Sequence, residues 1–335
     1  FWGFGSRLLV REGTTLFAVL PELDPAAKPL CNTRWTLWQY PDGGAWSKVA
    51  SGQVNEREPC LLVRLPGQRL LLSTNPAQRV RSLMEDGRQA CDCQPELLLF
   101  DAAQPNLPPQ VSTPPWTQPW KFSEHSYRAL AVEPTTGTAM LAHQIYNPAV
   151  KDYGHAWGLR TADGQWTMQS PLHFPMRGCY QQVALRGGAV HIMAISDEDE
   201  PVTAWREFKQ KVTGQKWDYE FRQLFYTWTP DLATRPLSPP LTVDSRDATC
   251  GMIRNLDLWL DAAGDAWVLY LDRNVWHAYM RQQFWPKLPL TVSLRLAKLH
   301  HGRVVERRTL AEARETPGAG DPWRGPEVTW AQFHA

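Results

Sequence analysis

HSYRALAVEPTTGTAMLAHQIYN, residues 125–147, followed by LRTADGQW, residues 159–166, is the stretch whose reading decides the fold. Its first part reads as two alternating strands around Pro134-Thr135-Thr136-Gly137, with a histidine near each open end. Its second part is a tight turn at Asp163-Gly164 with Trp166 behind it. Pairs of segments like these recur along the chain. Opening hairpins fall at 6–22, 58–75, 125–146, 179–197 and 253–272, each with an apolar strand, a turn rich in Gly, Pro or Asp, and a second apolar strand. Their starts are roughly 50–75 residues apart, a spacing suited to four-stranded propeller blades. A second strand pair follows each hairpin, at 35–52, 95–112, 157–170, 224–239 and 293–310.

The expected fold is therefore all-β, a β-propeller of four-stranded blades, with five blades visible and six or seven in a complete protein. Residues 1–335 read as one propeller domain with repeat starts near 6, 58, 125, 179 and 253, in a chain that looks processed or partial because it begins at Phe1. The last residues, VTWAQFHA, read as the opening strand of a further copy. A β-sandwich also has many short strands, but it need not repeat turn type and strand order in every unit.

Composition limits the function classes. The chain is 43% hydrophobic, enough for a large core, and its 21% charged residues nearly cancel to +1. A nucleic-acid or anionic-membrane surface usually needs a clear basic excess, so neither is an expected partner. No apolar run approaches the roughly 20 residues that span a bilayer. The 17 tryptophans serve either as wedges between packed sheets or as platforms for sugar faces. Cysteines at 31, 60, 91, 93, 179 and 250 match no paired Cys-x-x-Cys zinc pattern, and the close pair Cys91/Cys93 has no further ligands near it in the sequence. Disulfides and buried thiols both stay open. Asp197-Glu198-Asp199-Glu200 lacks the alternating ligands and turn glycine of a calcium loop and reads as a solvated loop. No metal and no cofactor is expected. A monomer is expected, with a secreted or periplasmic location favoured.

Thr161-Ala162-Asp163-Gly164-Gln165-Trp166 resembles the Asp-box, or BNR repeat, of sialidase-like propellers, and Pro41-Asp42-Gly43-Gly44-Ala45-Trp46 is a looser copy. Such a box is scaffold: it folds a turn and tucks the Trp between strands. The wider combination of His125, His143, a Tyr-plus-Asp-box segment and Cys179-Tyr180 resembles the BNR-repeat polysaccharide-lyase propellers, a group that includes ulvan lyases. This resemblance covers mainly residues 120–270. It implies β-elimination at a uronic acid, with His125, His143 and Tyr180 as the catalytic set. One departure is visible: those enzymes tend to carry an arginine at the end of the second strand after the tyrosine, where this chain has Ala194-Ile195-Ser196-Asp197.

Pairing geometry reaches a site independently. Residues equidistant from a hairpin turn lie opposite each other. That rule pairs His125 with Tyr146, His143 with Arg128, Tyr180 with Ala194 and Arg254 with Leu271. In a propeller the first strands share a direction, so their starts converge on one face. His125, Arg177, Tyr180, Arg254 and Asn255 are expected to line it, with His143 and Tyr146 just behind. His and Tyr suit proton transfer when burial shifts their pKa, and Arg177 or Arg254 suits a bidentate grip on a carboxylate. Arg177, Arg254, Asn255, Tyr146 and Trp205 are thus expected to bind substrate, a polysaccharide or oligosaccharide.

The segment from Trp205 to Lys209, continuing to Lys216-Trp217, is an aromatic-basic insertion that reads as a short helix overhanging the channel mouth and as the candidate specificity loop. Tyr153-Gly154-His155 reads as a connection to the outer strands, and His300-His301-Gly302 as an exposed turn. Two other functions compete with the lyase. A sialidase-like glycoside hydrolase needs paired carboxylates, and Asp257 is the only acid expected near the strand starts. A non-catalytic carbohydrate- or protein-binding propeller needs no such groups.

Overall fold

Short apolar runs punctuated by Gly, Pro and Asp form strands and tight turns throughout the computed structural model. It describes residues 7–84, 87–116, 120–147, 152–215, 219–315 and 331–333. Five four-stranded antiparallel sheets result, the blades of a β-propeller. Blade 1 comprises β1 (Leu9–Glu12), β2 (Thr15–Leu23), β3 (Thr33–Tyr40) and β4 (Ser47–Ser51). Blade 2 comprises β5 (Leu61–Leu65), β6 (Arg69–Thr74), β9 (Glu96–Asp101) and β10 (Gln110–Ser112), with the hairpin β7 (Ala77–Leu83) and β8 (Gln89–Cys93) inserted at its centre. Blade 3 comprises β11 (Arg128–Val132), β12 (Ala139–Asn147), β13 (Asp152–Arg160) and β14 (Trp166–Met168).

Blade 4 comprises β15 (Gly178–Arg186), β16 (Ala189–Ser196), β19 (Gln223–Thr229) and β20 (Leu241–Ser245). Its insertion carries β17 (Glu198–Asp199), α1 (Thr203–Thr213) and β18 (Tyr219–Glu220). Blade 5 comprises β21 (Met252–Leu260), β22 (Ala266–Arg273), β23 (Thr291–His300) and β24 (Arg303–Arg314), with α2 (Ala278–Phe284) between its second and third strands. The chain divides into two compact units, 1–173 with blades 1 to 3 and 174–335 with blades 4 and 5. No helix among the described residues is long and apolar enough to cross a membrane. The expected strand at 328–335 lies mostly outside the described residues. Of its visible part, the Phe333 N–H donates to Asp257 Oδ2 at 2.9 Å and the ring lies 5.9 Å from Trp259.

The two-residue period of a strand explains the packing of the first unit. On β6, Leu70 and Leu72 face a cluster with Phe17, Val19 and Leu37 of blade 1. Leu71 faces Leu130, Ala139 and Leu141 of blade 3. Both faces are covered, so the strand reads Leu-Leu-Leu rather than alternating. Each such burial stabilises by about 1.5–3 kcal/mol relative to exposure.

Turn chemistry sets the register. Val132 pairs with Ala139 and Arg128 with His143, as counting from the Pro134–Gly137 turn requires. Gly137 has φ +72°, and a Cβ there would meet Pro66 at 3.0 Å, so glycine is needed twice over. In the Asp-Gly turn of blade 3 the Thr161 N–H donates to Gln165 O at 2.8 Å, and Thr161 Oγ1 accepts from the Gln165 N–H at 2.9 Å. Trp166 packs against the apolar cluster shared by blades 2 and 3. In the looser copy Trp46 instead stays at the surface against Tyr40, 5.4 Å away.

The acidic run at 197–200 departs from the expected solvated loop. Glu200 is fully buried in a cluster with Lys209, Glu220, Arg222 and Cys250. Lys209 Nζ donates to Glu200 at 3.0 Å and also contacts Glu220, while Arg222 lies 2.9 Å from Glu220 and also contacts Glu200. Two carboxylates and two cations balance, which makes their burial tolerable. The tetrad fastens α1 to β18 and β19. Lys209→Met leaves both carboxylates with Arg222 alone and is expected to cost about 3–5 kcal/mol in urea unfolding. The exposed Lys211 on the same helix is the control, and Lys211→Met should stay within about 0.5 kcal/mol of the parent. Equal effects from the two substitutions would contradict this account.

Candidate functional site

A hairpin that begins on a buried polar pair needs partners from neighbouring loops, and the start of β11 shows how they are supplied. Arg128 is buried opposite His143, and its guanidinium reaches back into the loop before β5. It donates to Glu56 Oε2 at 3.0 Å, to Glu58 O at 2.7 Å and to Pro59 O at 3.3 Å. Glu56 also accepts the Asn75 N–H at 2.9 Å. Burial raises the Glu56 pKa, and Arg128 only partly offsets it. Glu58 is raised in the same way by burial, against opposition from Arg57 and Arg128.

Arg57 lies between these acids and the surface. Its Nε is 3.4 Å from Glu58 Oε1, and its guanidinium touches His125 Nδ1. His125 Nε2 is 3.7 Å from Glu124 Oε1, and Glu124 Oε2 accepts the Cys91 N–H at 2.7 Å. Glu58, Arg57, His125 and Glu124 therefore form one continuous polar chain. His125, with its side chain 38% exposed, is its outermost member. Proton transfer and recognition of an anion or a hydroxyl-rich ligand are within the reach of such a set.

Neighbouring segments, but none of these four residues, line a pocket of about 570 Å³. Asp92, Cys93 and Gln94 supply one wall, and Trp116, Trp120, Lys121 and Phe122 another, with Arg79 at the side. Arg79 donates to Asp92 at 2.6 Å. The segment that carries Trp120 to Phe122 runs directly into Glu124 and His125.

The other expected site residues fall as follows. His125 is not opposite Tyr146. The Ser126 N–H donates to Ser123 O at 3.0 Å and closes a turn that takes His125 off the strand, so Lys121 bridges to Tyr146 instead. The Tyr146 ring lies tilted against that of Tyr153, with centroids 4.8 Å apart. His143 is 0% exposed, with Trp116 and Phe122 edge-on at 6.0 and 5.8 Å. Burial, and then the Arg128 charge, drive its pKa well below the ordinary value, so its ring is neutral.

In the second unit, Tyr180 lies in a β-bulge with φ +49°. It is 4% exposed, its ring is 5.9 Å from Phe221, and its carbonyl accepts Asn255 Nδ2 at 2.6 Å. Arg177 is paired with Asp197 at 3.0 Å and lies over the Tyr219 ring at 5.5 Å. Arg254 is opposite Leu271, as counting predicts. Trp205 sits on α1 against Trp285 of the α2 region at 5.3 Å, with Arg222 over its ring at 5.0 Å. The expected specificity insertion is thus a packed helix, and its Lys216 and Trp217 lie outside the described residues. Tyr153, Gly154 and His155 belong to strand β13 itself.

Glu56, Glu58 and Glu124 were not legible as site residues, and the expectation that Asp257 is the only acid near the strand starts is corrected by them. They sit in polar loops, and their sole sequence signal is position, a few residues before β5 and β11. Among the described residues one trio has metal-ligand spacing, Glu200, Glu220 and Cys250. Lys209 and Arg222 already occupy its carboxylates, so the donor set fits no ion.

No known family model matches the chain, and no curated protein matches it. Solved structures give weak likenesses. An exo-beta-1,3-galactanase from Clostridium thermocellum aligns at 9% identity and TM-score 0.46, covering 92% of this chain and 61% of its own. A beta 1,3 galactosidase of glycoside hydrolase family 43 aligns at 10% and 0.42, covering 82% and 54%. A thermostable family-43 glycoside hydrolase aligns at 10% and 0.40, covering 98% and 97%. The chain thus spans less than two thirds of the first two. Similarity this low carries no argument, and the reading rests on the chain's own strands and side chains.

The neutral His143 ties stability to pH. Its folded pKa is depressed, so its contribution is whole above the ordinary value near 6.5 and is lost as pH falls, because the unfolded chain takes up a proton that the folded one refuses. Glu56 and Glu58, raised by burial, act in the opposite sense, and their effect cancels when variant and parent are compared. In urea unfolding at pH about 7.5 and about 5.5, His143→Gln should lose less stability on acidification than the parent. Equal losses would show that His143 is not held neutral.

Proposed function

We propose that this protein is a carbohydrate-active propeller that hydrolyses a glycosidic bond, with its acid chemistry at the starts of blades 2 and 3. The observation that carries this reading is the chain Glu58–Arg57–His125–Glu124. It offers two carboxyl groups at one face, one of them with its pKa raised by burial. Glycoside hydrolysis needs a carboxylic acid to protonate the leaving oxygen and a second carboxylate to assist the attack. Glu58 is assigned as the proton donor and Glu124 as the second carboxylate. His125 and Arg57 lie between them and face the sugar hydroxyls. Trp116 and Trp120 in the adjoining pocket offer flat rings to sugar faces.

Elimination at a uronic acid is the other enzymatic reading, with His125, His143 and Tyr180 as its catalytic set and Arg177 or Arg254 on the carboxylate. His143 and Tyr180 are enclosed by aromatic rings and barely exposed. Glu58 and Glu124 are buried to a similar degree, so what favours the carboxylate chemistry is the pairing of two acids, one of them with its pKa raised. A binding propeller is supported by the Trp-lined pocket, which recognises a ligand without transforming it.

One experiment separates the three. Neutral and uronate-containing polysaccharides are incubated with the protein, and both new reducing ends and the ultraviolet absorbance of an unsaturated product are followed. Hydrolysis predicts reducing ends without that absorbance, and Glu58→Gln should lower the rate about 10²–10⁴-fold. Tyr180→Phe should leave the rate close to the parent's. An unsaturated product would instead establish elimination, and retained sugar binding without either product would establish a binding module.

A further inference from the structure

Three cysteines distant in sequence meet beside the pocket. Cys31 lies in the loop between β2 and β3, and Cys91 and Cys93 lie two residues apart on β8. All six cysteines are thiols. Cys31 is half-buried and packs against the cluster that contains Cys91, Cys93, Phe122 and Ile145. The backbone holds it there, since the Gln89 N–H donates to Pro29 O at 2.7 Å and the Leu30 N–H to Gln89 O at 3.4 Å. The Cys31 thiol lies close enough to Cys93 and Cys91 for both to influence its ionisation. Contact with Cys93, and then burial, hold Cys31 above the usual thiol range, and burial pushes Cys91 up to about 12.

Pairing geometry selects the partners. Residues two apart on a strand are separated by about 6.4–6.8 Å, near the upper limit of a disulfide's Cα spacing. Cys91 and Cys93 therefore pair poorly with each other. Cys31 approaches both from a separate segment. Cys60 and Cys250 have different surroundings, beside the guanidinium groups of Arg128 and Arg222 respectively.

We propose that Cys31 and Cys93 are a thiol–disulfide exchange site, oxidised by low-molecular-weight disulfides. The Cys93 thiolate, at the pocket wall, attacks a sulfur of the reagent disulfide and releases one small thiol, leaving a mixed disulfide. The Cys31 thiolate, no longer held protonated by a Cys93 thiol, then attacks the Cys93 sulfur and releases the second small thiol. Two electrons pass from the protein thiols to the reagent, and the two protons end on the released thiols. The product joins the blade 1 loop to β8, where Cys93 lines the pocket and the Cys91 N–H holds Glu124. The bond closes a long stretch of chain, so it restrains the unfolded state and stabilises the first unit. Nothing in this step depends on what the neighbouring site cleaves.

The test treats the folded protein with oxidised glutathione, alkylates the remaining thiols, and maps the peptides by mass. The expected product is one Cys31–Cys93 crosslink with the loss of two hydrogens, reversed by dithiothreitol. Its thermal midpoint should lie above that of the reduced protein. Cys31→Ser and Cys93→Ser should each abolish the crosslink and the rise in midpoint, and Cys60→Ser should keep both. Six alkylatable thiols after oxidation, or a bond that leaves out Cys31 or Cys93, would overturn the proposal. The parent's peptide map decides even if a serine variant fails to fold.

Discussion

Antiparallel alternation is the constraint on which the rest of the molecule depends. In a four-stranded meander the start of the first strand, the connection from second to third, and the end of the fourth all lie at one end. In blades 2, 4 and 5 that shared end carries the insertions, namely the β7–β8 hairpin, the α1 segment and α2. The opposite ends carry turns such as Pro134–Gly137 and Asp163-Gly164. The Arg128 network and the Glu200 tetrad both sit at that end of their blades, while the interior of β6 is apolar on both faces.

Within that end, buried charge is handled in two ways. The Glu200–Lys209–Glu220–Arg222 tetrad balances two anions with two cations and leaves little unsatisfied charge, so its effect is to fix α1. Around Arg128 the balance is uneven. One buried guanidinium serves Glu56 and the backbone of Glu58 and Pro59, while Arg57 turns outward to His125. Desolvation then exceeds compensation, and the Glu56 and Glu58 carboxyl groups hold their protons to higher pH. One arrangement makes a strut, the other a pair of acids that burial keeps protonated to higher pH.

Register was legible wherever a turn fixed it. Arg128 opposite His143 and Arg254 opposite Leu271 follow from counting residues. Counting failed where the backbone left the ladder. The turn closed by Ser123 and Ser126 removed His125 from its place opposite Tyr146, and the bulge at Tyr180 put that residue at positive φ. Burial was less legible. Nothing in Asp197-Glu198-Asp199-Glu200 indicates that Lys209 and Arg222 will cover Glu200, and Glu58 looks like an ordinary loop acid.

The amino-acid order fixed the blades, the tight turns and the place of each strand, because those depend on contacts between residues close in the chain. It left the burial of Glu56 and Glu58, the neutral state of His143 and the meeting of Cys31 with Cys91 and Cys93 undetermined. These depend on which loops share one end of a blade and on how far each group is removed from water. Both are consequences of packing between segments dozens of residues apart, and local pattern carries no record of them.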